Sequence, residues 1–319
     1  MTKLAIVFPG QGSQYVGMGK GLYDEFACAK RVFVEANSAL GYDIAALCFN
    51  GPAFDLDRTE NTQPALLTVS TAALKALEEK TGIKPDIMAG HSLGEYTALV
   101  AAGAIAFADA VRLAHLRGRF MQESVPQGTG KMAALIGLDA ETVAQICAVA
   151  SSGGLVAVPA NINSPQQIVI SGHAAAVEKA GALAKERGAK RVIPLQVSAP
   201  SHSPLMEGAG RRLSDELGKI AFKPLSTPVI TNVEATPVTD SSVLAGLLTR
   251  QLTSPVRWVE IIKRMKKEGV TRIIEAGPGR VLTGLIKRIE PEIETFNLDV
   301  PEDMIHLLSA IKGLKTVIG

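Results

Sequence analysis

Cysteine is scarce: three in 319 residues, at positions 28, 48 and 147, with no C-x-x-C pair. That excludes a disulfide framework, argues against a zinc site, and suits a reducing, cytoplasmic setting. Excess charge of either sign is also missing. The 33 Lys and Arg nearly balance 31 Asp and Glu, for a net +2, so no general attraction to nucleic acid is implied. Clusters such as Lys263-Arg264 and Lys266-Lys267 read as the solvated face of a helix. No apolar run approaches the ~20 residues of a membrane span. Residues 4–8 are apolar but too short for a signal core, and they run into Pro9-Gly10-Gln11-Gly12 with no small-residue cleavage site. Internal repeats and low-complexity tracts are absent too. What is present is a chain 47% hydrophobic with 30 glycines, able to bury one large core or two smaller ones.

The pattern of elements changes twice along the chain. Residues 3–8 read as a buried strand ended by the loop Pro9-Gly10-Gln11-Gly12-Ser13-Gln14, followed by helices over 24–40 and 64–80. An apolar strand at 87–89 and helices over 95–104 and 107–125 come next. Strands separated by helices predict a parallel sheet covered on both faces. After Pro126-Gln127-Gly128-Thr129-Gly130 the reading is strand 131–138, helix 139–152 with Asp139 as N-cap, and strand 155–160. A turn at Asn161-Ile162-Asn163-Ser164-Pro165, strand 167–171, helix 174–187 and strand 190–197 close the run. This β-α-β-β-α-β order predicts a ferredoxin-like subdomain inserted in the larger one. Beyond Ser198 the α/β pattern resumes, with helices over 204–217, 243–252, 256–268 and 281–289 and strands over 228–232 and 271–276. The fold class is therefore α/β, with a large domain of 1–127 and 200–319 and a small one of 128–199.

Residues 86–96 carry the chemistry: Asp-Ile-Met-Ala-Gly-His-Ser-Leu-Gly-Glu-Tyr, an apolar strand running into Gly90-His91-Ser92-Leu93-Gly94 and then a helix. This is the pattern of a nucleophile elbow, in which glycines permit a sharp strand-to-helix turn and the serine sits strained at its tip. The Leu93 N–H, opening the helix, is well placed to stabilise an oxyanion. The Gly10-Gln11-Gly12 loop is a second source of such donors, or simply a tight turn.

A serine needs a base within hydrogen-bond reach. Of five histidines, His91 adjoins the serine and should point away, His115 lies in a helix, His173 sits at a turn, and His306 is in the C-terminal tail. His202 stands in the loop Ser198-Ala199-Pro200-Ser201-His202-Ser203-Pro204, where the chain returns to the large domain. It is the best-placed base for a cleft at the domain junction. A triad would also need an acid, and the aspartates between these two residues, Asp109 and Asp139, both sit at helix starts where capping suffices. A Ser-His dyad oriented by a backbone carbonyl or an amide is the simpler reading.

Together these segments resemble the malonyl-CoA:acyl carrier protein transacylases, freestanding bacterial acyltransferases of fatty-acid synthesis. The matching stretches are Phe8-Pro9-Gly10-Gln11-Gly12-Ser13-Gln14, Thr62-Gln63-Pro64-Ala65, Gly90-His91-Ser92-Leu93-Gly94-Glu95-Tyr96 and Arg117-Gly118-Arg119-Phe120-Met121-Gln122. Asn161-Ile162-Asn163-Ser164-Pro165, Ser198-Ala199-Pro200-Ser201-His202, Arg250-Gln251-Leu252 and Glu275-Ala276-Gly277-Pro278-Gly279 complete them. The resemblance implies a hydrolase-like sheet with a ferredoxin-like insert. It also implies ping-pong transfer of malonyl from malonyl-CoA to the phosphopantetheine thiol of acyl carrier protein. By it Ser92 carries the acyl group, His202 is the base, the N–H groups of Gln11 and Leu93 form the oxyanion hole, and the Gln251 carbonyl orients His202. Arg117 would grip the malonyl carboxylate, and Gln167 would lie near the substrate. Neither metal nor tightly bound cofactor is implied, nor a membrane or nucleic-acid partner, and a monomer is expected. Because carrier proteins are acidic, Lys190 and Arg191 are candidates for a basic docking surface. Two rivals share parts of this pattern: a serine hydrolase, which would not need Arg117, and a non-catalytic scaffold, against which the intact Ser92 and His202 argue.

Overall fold

Two sheets organise the computed structural model, which describes residues 3–126, 128–196 and 199–315. The larger contains β1 (Lys3–Phe8), β2 (Ile87–Gly90), β7 (Val229–Ile230), β8 (Pro237–Val238), β9 (Val270–Ala276) and β10 (Glu294–Leu298), in the order β10-β9-β1-β2-β7-β8. All pairings are parallel except β7 with β8. Alternate residues of β1 face opposite layers: Leu4, Ile6 and Phe8 join one core, Ala5 and Val7 another built around Trp258, Ile261 and Ile262. Both faces are thus covered, which is why the strand reads as one unbroken apolar run. Among the described residues no helix is long and apolar enough to cross a membrane.

The smaller sheet contains β3 (Gly130–Ile136), β4 (Ala157–Ser164), β5 (Gln167–His173) and β6 (Arg191–Pro194), antiparallel in the order β4-β5-β3-β6. Helices Ala140–Ala150 and Ala174–Glu186 cover one face, packing Val143 and Val177 on Leu135 and Ile170. The other face carries Met132, Ala134 and Val169. One bridge stitches β4 to the large unit: the Ile162 N–H donates to Val256 O, and the Val256 N–H to Ala160 O, both at 2.9 Å.

Several expected boundaries shift. The stretch 24–40 is two helices, Lys20–Glu25 and Ala27–Leu40, because Phe26 is extended between them. The helix expected from residue 64 begins five residues earlier, as Thr59–Thr81, with Pro64 inside it. Proline there leaves the carbonyl of Glu60 without its N–H donor, and His115 Nδ1 takes that carbonyl instead at 3.0 Å. The turn at 161–165 is shorter than expected, since β4 runs on to Ser164. Residues 204–206 are a 3-10 turn ahead of the helix Glu207–Leu217. β6 ends at Pro194, and the last residue of its expected range, Val197, lies outside the described residues.

Candidate active site

β1 and β2 are register neighbours, with Phe8 opposite Gly90, so the loops leaving both strands meet at the carboxyl edge of the sheet. That edge is where open parallel sheets place ligands. At the tip of the β2 loop Ser92 has φ 52° and ψ −104°, a conformation side chains rarely adopt. The glycines beside it permit this by proximity. A Cβ on Gly90 would fall 1.9 Å from the Gly94 carbonyl group, and one on Gly94 would fall 2.1 Å from Phe8 O.

Ser92 Oγ lies 2.9 Å from His202 Nε2. His202, also at positive φ (58°), is buried. Its Nδ1 faces two carbonyl oxygens, of Gln251 at 2.8 Å and Ser254 at 3.1 Å. Carbonyls only accept, so Nδ1 carries the proton and Nε2 is left bare to receive the serine proton. Burial, then the neighbouring Arg117 cation, lowers the His202 pKa to about 3, so the ring is neutral at physiological pH. No carboxylate meets Nδ1 among the described residues. Asp109 instead pairs with Arg112, and Asp139 caps the helix it precedes through the Thr142 N–H.

Arg117 comes from the helix Phe107–Glu123 and is 1% exposed. Its Nη1 donates to Gln63 Oε1 at 2.6 Å, while Nη2 donates to Gln251 Oε1 at 3.0 Å and to Ser92 Oγ at 3.2 Å. The Tyr96 ring lies beneath, its centroid 5.3 Å from the guanidinium carbon. A pocket joins these groups, bordered by Gln11, Leu93, Ser92, Arg117 and His202, with Met132 and Asn161 entering from the small sheet. Both proposed oxyanion donors thus border it, and the Leu93 N–H, in the first helical turn, has no intrahelical partner. The Ser92 N–H is not free for that task, since it donates to Asn232 Oδ1 at 2.7 Å.

Gln167 shares a face of β5 with Val169 and lies towards the β4–β5 hairpin, where its Oε1 accepts from Arg288 at 2.8 Å. It does not border the cavity. Of the remaining histidines, His91 borders the same cavity with its Nε2 2.8 Å from Asn163 Oδ1, the Val156 N–H donates to His173 Nδ1, and His306 is exposed.

Sequence reasoning missed three supports of the site. Asn232 spans the elbow, accepting from the Ser92 N–H and donating to Gly90 O, each at 2.7 Å. Glu95 accepts from the Asn232 N–H and from Gln251 Nε2. Gln63 holds Arg117. Asn232 follows the carboxyl end of a parallel strand, a position that could have marked it.

Residues 5–295 match the model of the acyl transferase domain family. The malonyl CoA-acyl carrier protein transacylase of Escherichia coli (strain K12) is 50% identical over 308 residues, covering 97% of this chain and 99% of the relative. The crystal structure of an acyl carrier protein S-malonyltransferase from Vibrio cholerae superposes with a TM-score of 0.93 at 48% identity, covering 96% of this chain and all of the other. A type II PKS acyl-carrier protein has been seen in complex with its malonyl-transacylase, a chain 45% identical to this one with a TM-score of 0.94 over 97% of this chain and 100% of that one. The chain therefore belongs to the acyl transferase family, among the malonyl CoA-acyl carrier protein transacylases.

Proposed function

We propose that this acyltransferase moves malonyl from malonyl-CoA to the phosphopantetheine thiol of an acyl carrier protein through a malonyl-Ser92 ester. The observation that carries the reading is the meeting of Ser92, His202 and Arg117 in one cavity. His202 Nε2 takes the Ser92 proton as Oγ attacks the thioester carbonyl. The main-chain N–H groups of Gln11 and Leu93 stabilise the resulting oxyanion. Collapse breaks the C–S bond, and the imidazolium returns its proton to the CoA sulfur. The carrier thiol then attacks the ester with its proton passing to His202, and Ser92 recovers it on leaving. The Gln251 carbonyl keeps His202 in the productive tautomer. Arg117 pairs the free malonyl carboxylate, which selects acyl groups bearing one and holds the thioester in place.

The small sheet is read as the ferredoxin-like insert of 128–199; its strand order and two helices on one face support this. It closes the cavity over the elbow with Met132 and Asn161. Lys190 and Arg191, both exposed, are offered as part of the basic surface for the carrier. Three buried cysteines without disulfides fit a cytoplasmic enzyme.

Incubation with malonyl-CoA followed by intact-mass analysis tests the reading. A malonyl adduct on Ser92 that persists, then transfers to added holo carrier protein, is expected. Rapid release of free malonate without carrier would make the protein a hydrolase instead.

A further inference from the structure

We propose that Glu95 is a positioning residue for acyl selection: acting through the side-chain amide of Gln251, it sets the Arg117 guanidinium where a substrate carboxylate meets it. The inference rests on the acyl-transfer reading and names a residue that reading leaves without a task.

Glu95 lies in the first turn of the helix that Ser92 opens and is 1% exposed. An acid three residues after an N-cap ordinarily reaches back to the cap N–H. Here that N–H already donates to Asn232. Glu95 Oε2 instead accepts from Gln251 Nε2 at 2.8 Å and from the Asn232 N–H at 2.9 Å. On the other side of the same amide, Gln251 Oε1 accepts from Arg117 Nη2 at 3.0 Å.

The two ends of an amide have nearly the same shape and opposite hydrogen-bonding sense. Arg117 can only donate, and an ionised carboxylate can only accept. Between them the Gln251 amide has one satisfied orientation. Flipping it would set NH₂ against the guanidinium and oxygen against the carboxylate. Removing the acceptor at 95 leaves Nε2 the Ser92 carbonyl oxygen, at 3.1 Å, so the amide oxygen is held less firmly against Nη2. Gln63 still restrains Nη1, so the guanidinium pivots rather than leaves. Burial pushes the Glu95 carboxyl up to about 7, against the opposing pull of Asn232, Gln251 and Arg117. Burying an acid at that cost has no packing rationale, since a side chain of the same length without charge would fill the space.

The test compares kcat/KM for malonyl-CoA over acetyl-CoA, read as Ser92 acylation, in the wild type and in Glu95→Met and Glu95→Gln. Methionine keeps the length and loses the acceptor, whereas glutamine keeps an acceptor oxygen. Glu95→Met should lower the ratio about tenfold or more, and Glu95→Gln should stay within about threefold of wild type. In a Gln251→Ala background, which keeps the main-chain carbonyl facing His202, Glu95→Met should change the ratio less than about twofold. A wild-type ratio in folded Glu95→Met, an equal loss in Glu95→Gln, or an additive loss in the Gln251→Ala background overturns the proposal. Should Glu95→Met not fold, Glu95→Asp, too short to reach the amide, takes its place with the same expected loss. A wild type that is never malonylated would sink the acyl-transfer reading, whereas a malonylated wild type with an indifferent Glu95 sinks this inference alone.

Discussion

Arg117 Nη2 lies 3.2 Å from Ser92 Oγ, so a fixed, buried cation and a nucleophile share one pocket before any substrate enters. The arrangement has two consequences. Under the proposed grip the cation meets the carboxylate of the acyl chain, and burial, with that cation second, keeps the neighbouring imidazole neutral.

Replacing Arg117 should separate binding of malonyl from chemistry at the serine. Arg117→Ala is expected to lower kcat/KM for malonyl-CoA about a hundredfold or more, the scale of losing a buried charged partner. Acetyl-CoA should lose far less. Arg117→Lys should not restore malonyl, because a lysine cannot contact Gln63, Gln251 and a carboxylate in one plane. Steady-state kinetics on both substrates check this, and an unchanged preference in Arg117→Ala would refute the carboxylate grip.

Ser92→Ala should abolish the malonyl adduct in intact-mass spectra while leaving the thermal transition near wild type. His202→Ala should slow acylation about a thousandfold, within the range of general-base catalysis. An adduct of undiminished rate in His202→Ala would remove the histidine from the mechanism.

The pH behaviour of His202 has a definite sign. Its folded pKa, about 3, lies below the ordinary 6.5, so the unfolded chain takes up a proton across that window and the native state does not. Stability from this residue is fully present above pH 6.5 and falls as pH drops towards 3. Wild type should therefore lose stability relative to His202→Ala on acidification, measured by denaturant melts at several pH values. In Glu95→Gln, which lacks the carboxyl that burial pushes up to about 7, the acid limb of kcat/KM, which reports free enzyme, should lie well below 6.5, and a limb near 6.5 there would contradict the buried, cation-flanked ring.

Gly118 sits where the Arg117 helix crosses Thr59–Thr81, and a Cβ there would fall 2.5 Å from Thr59 O and 2.6 Å from Glu60 Cα. Backbone must shift to admit it. Gly118→Ala should cost about 1–3 kcal/mol and weaken malonyl selectivity, because Arg117 and Gln63 come from those two helices. Urea denaturation and the malonyl-to-acetyl ratio check both parts; an unaltered midpoint would sink the packing argument.

Much of the site was legible because its chemistry constrains the local backbone. The elbow needs glycines at 90 and 94 and a small polar nucleophile between them, and those residues are adjacent in sequence. His202 stood out by its loop between the two domains. Other features were hidden by distance along the chain. Pro64 read as a helix start because a lone proline interrupts its own helix; His115, 55 residues away in sequence, supplies the Glu60 carbonyl with a partner. Gln167 pairs with Arg288, 121 residues later, a contact that its local sequence does not announce. Asn232 looked like the polar end of a strand until it closed on an elbow 140 residues earlier.

By itself the sequence determined the alternation of strands and helices and the strained serine turn. Those follow from backbone sterics and from side chains within a few residues of one another. Tertiary structure alone decided that Arg117 faces Ser92, that two carbonyls and no acid orient His202, and that Glu95, Gln251 and Asn232 share one buried network. The physical reason is that buried polar groups must find partners, and which partners come within hydrogen-bond reach is set by sheet register and helix crossing over separations of 25 to 156 residues.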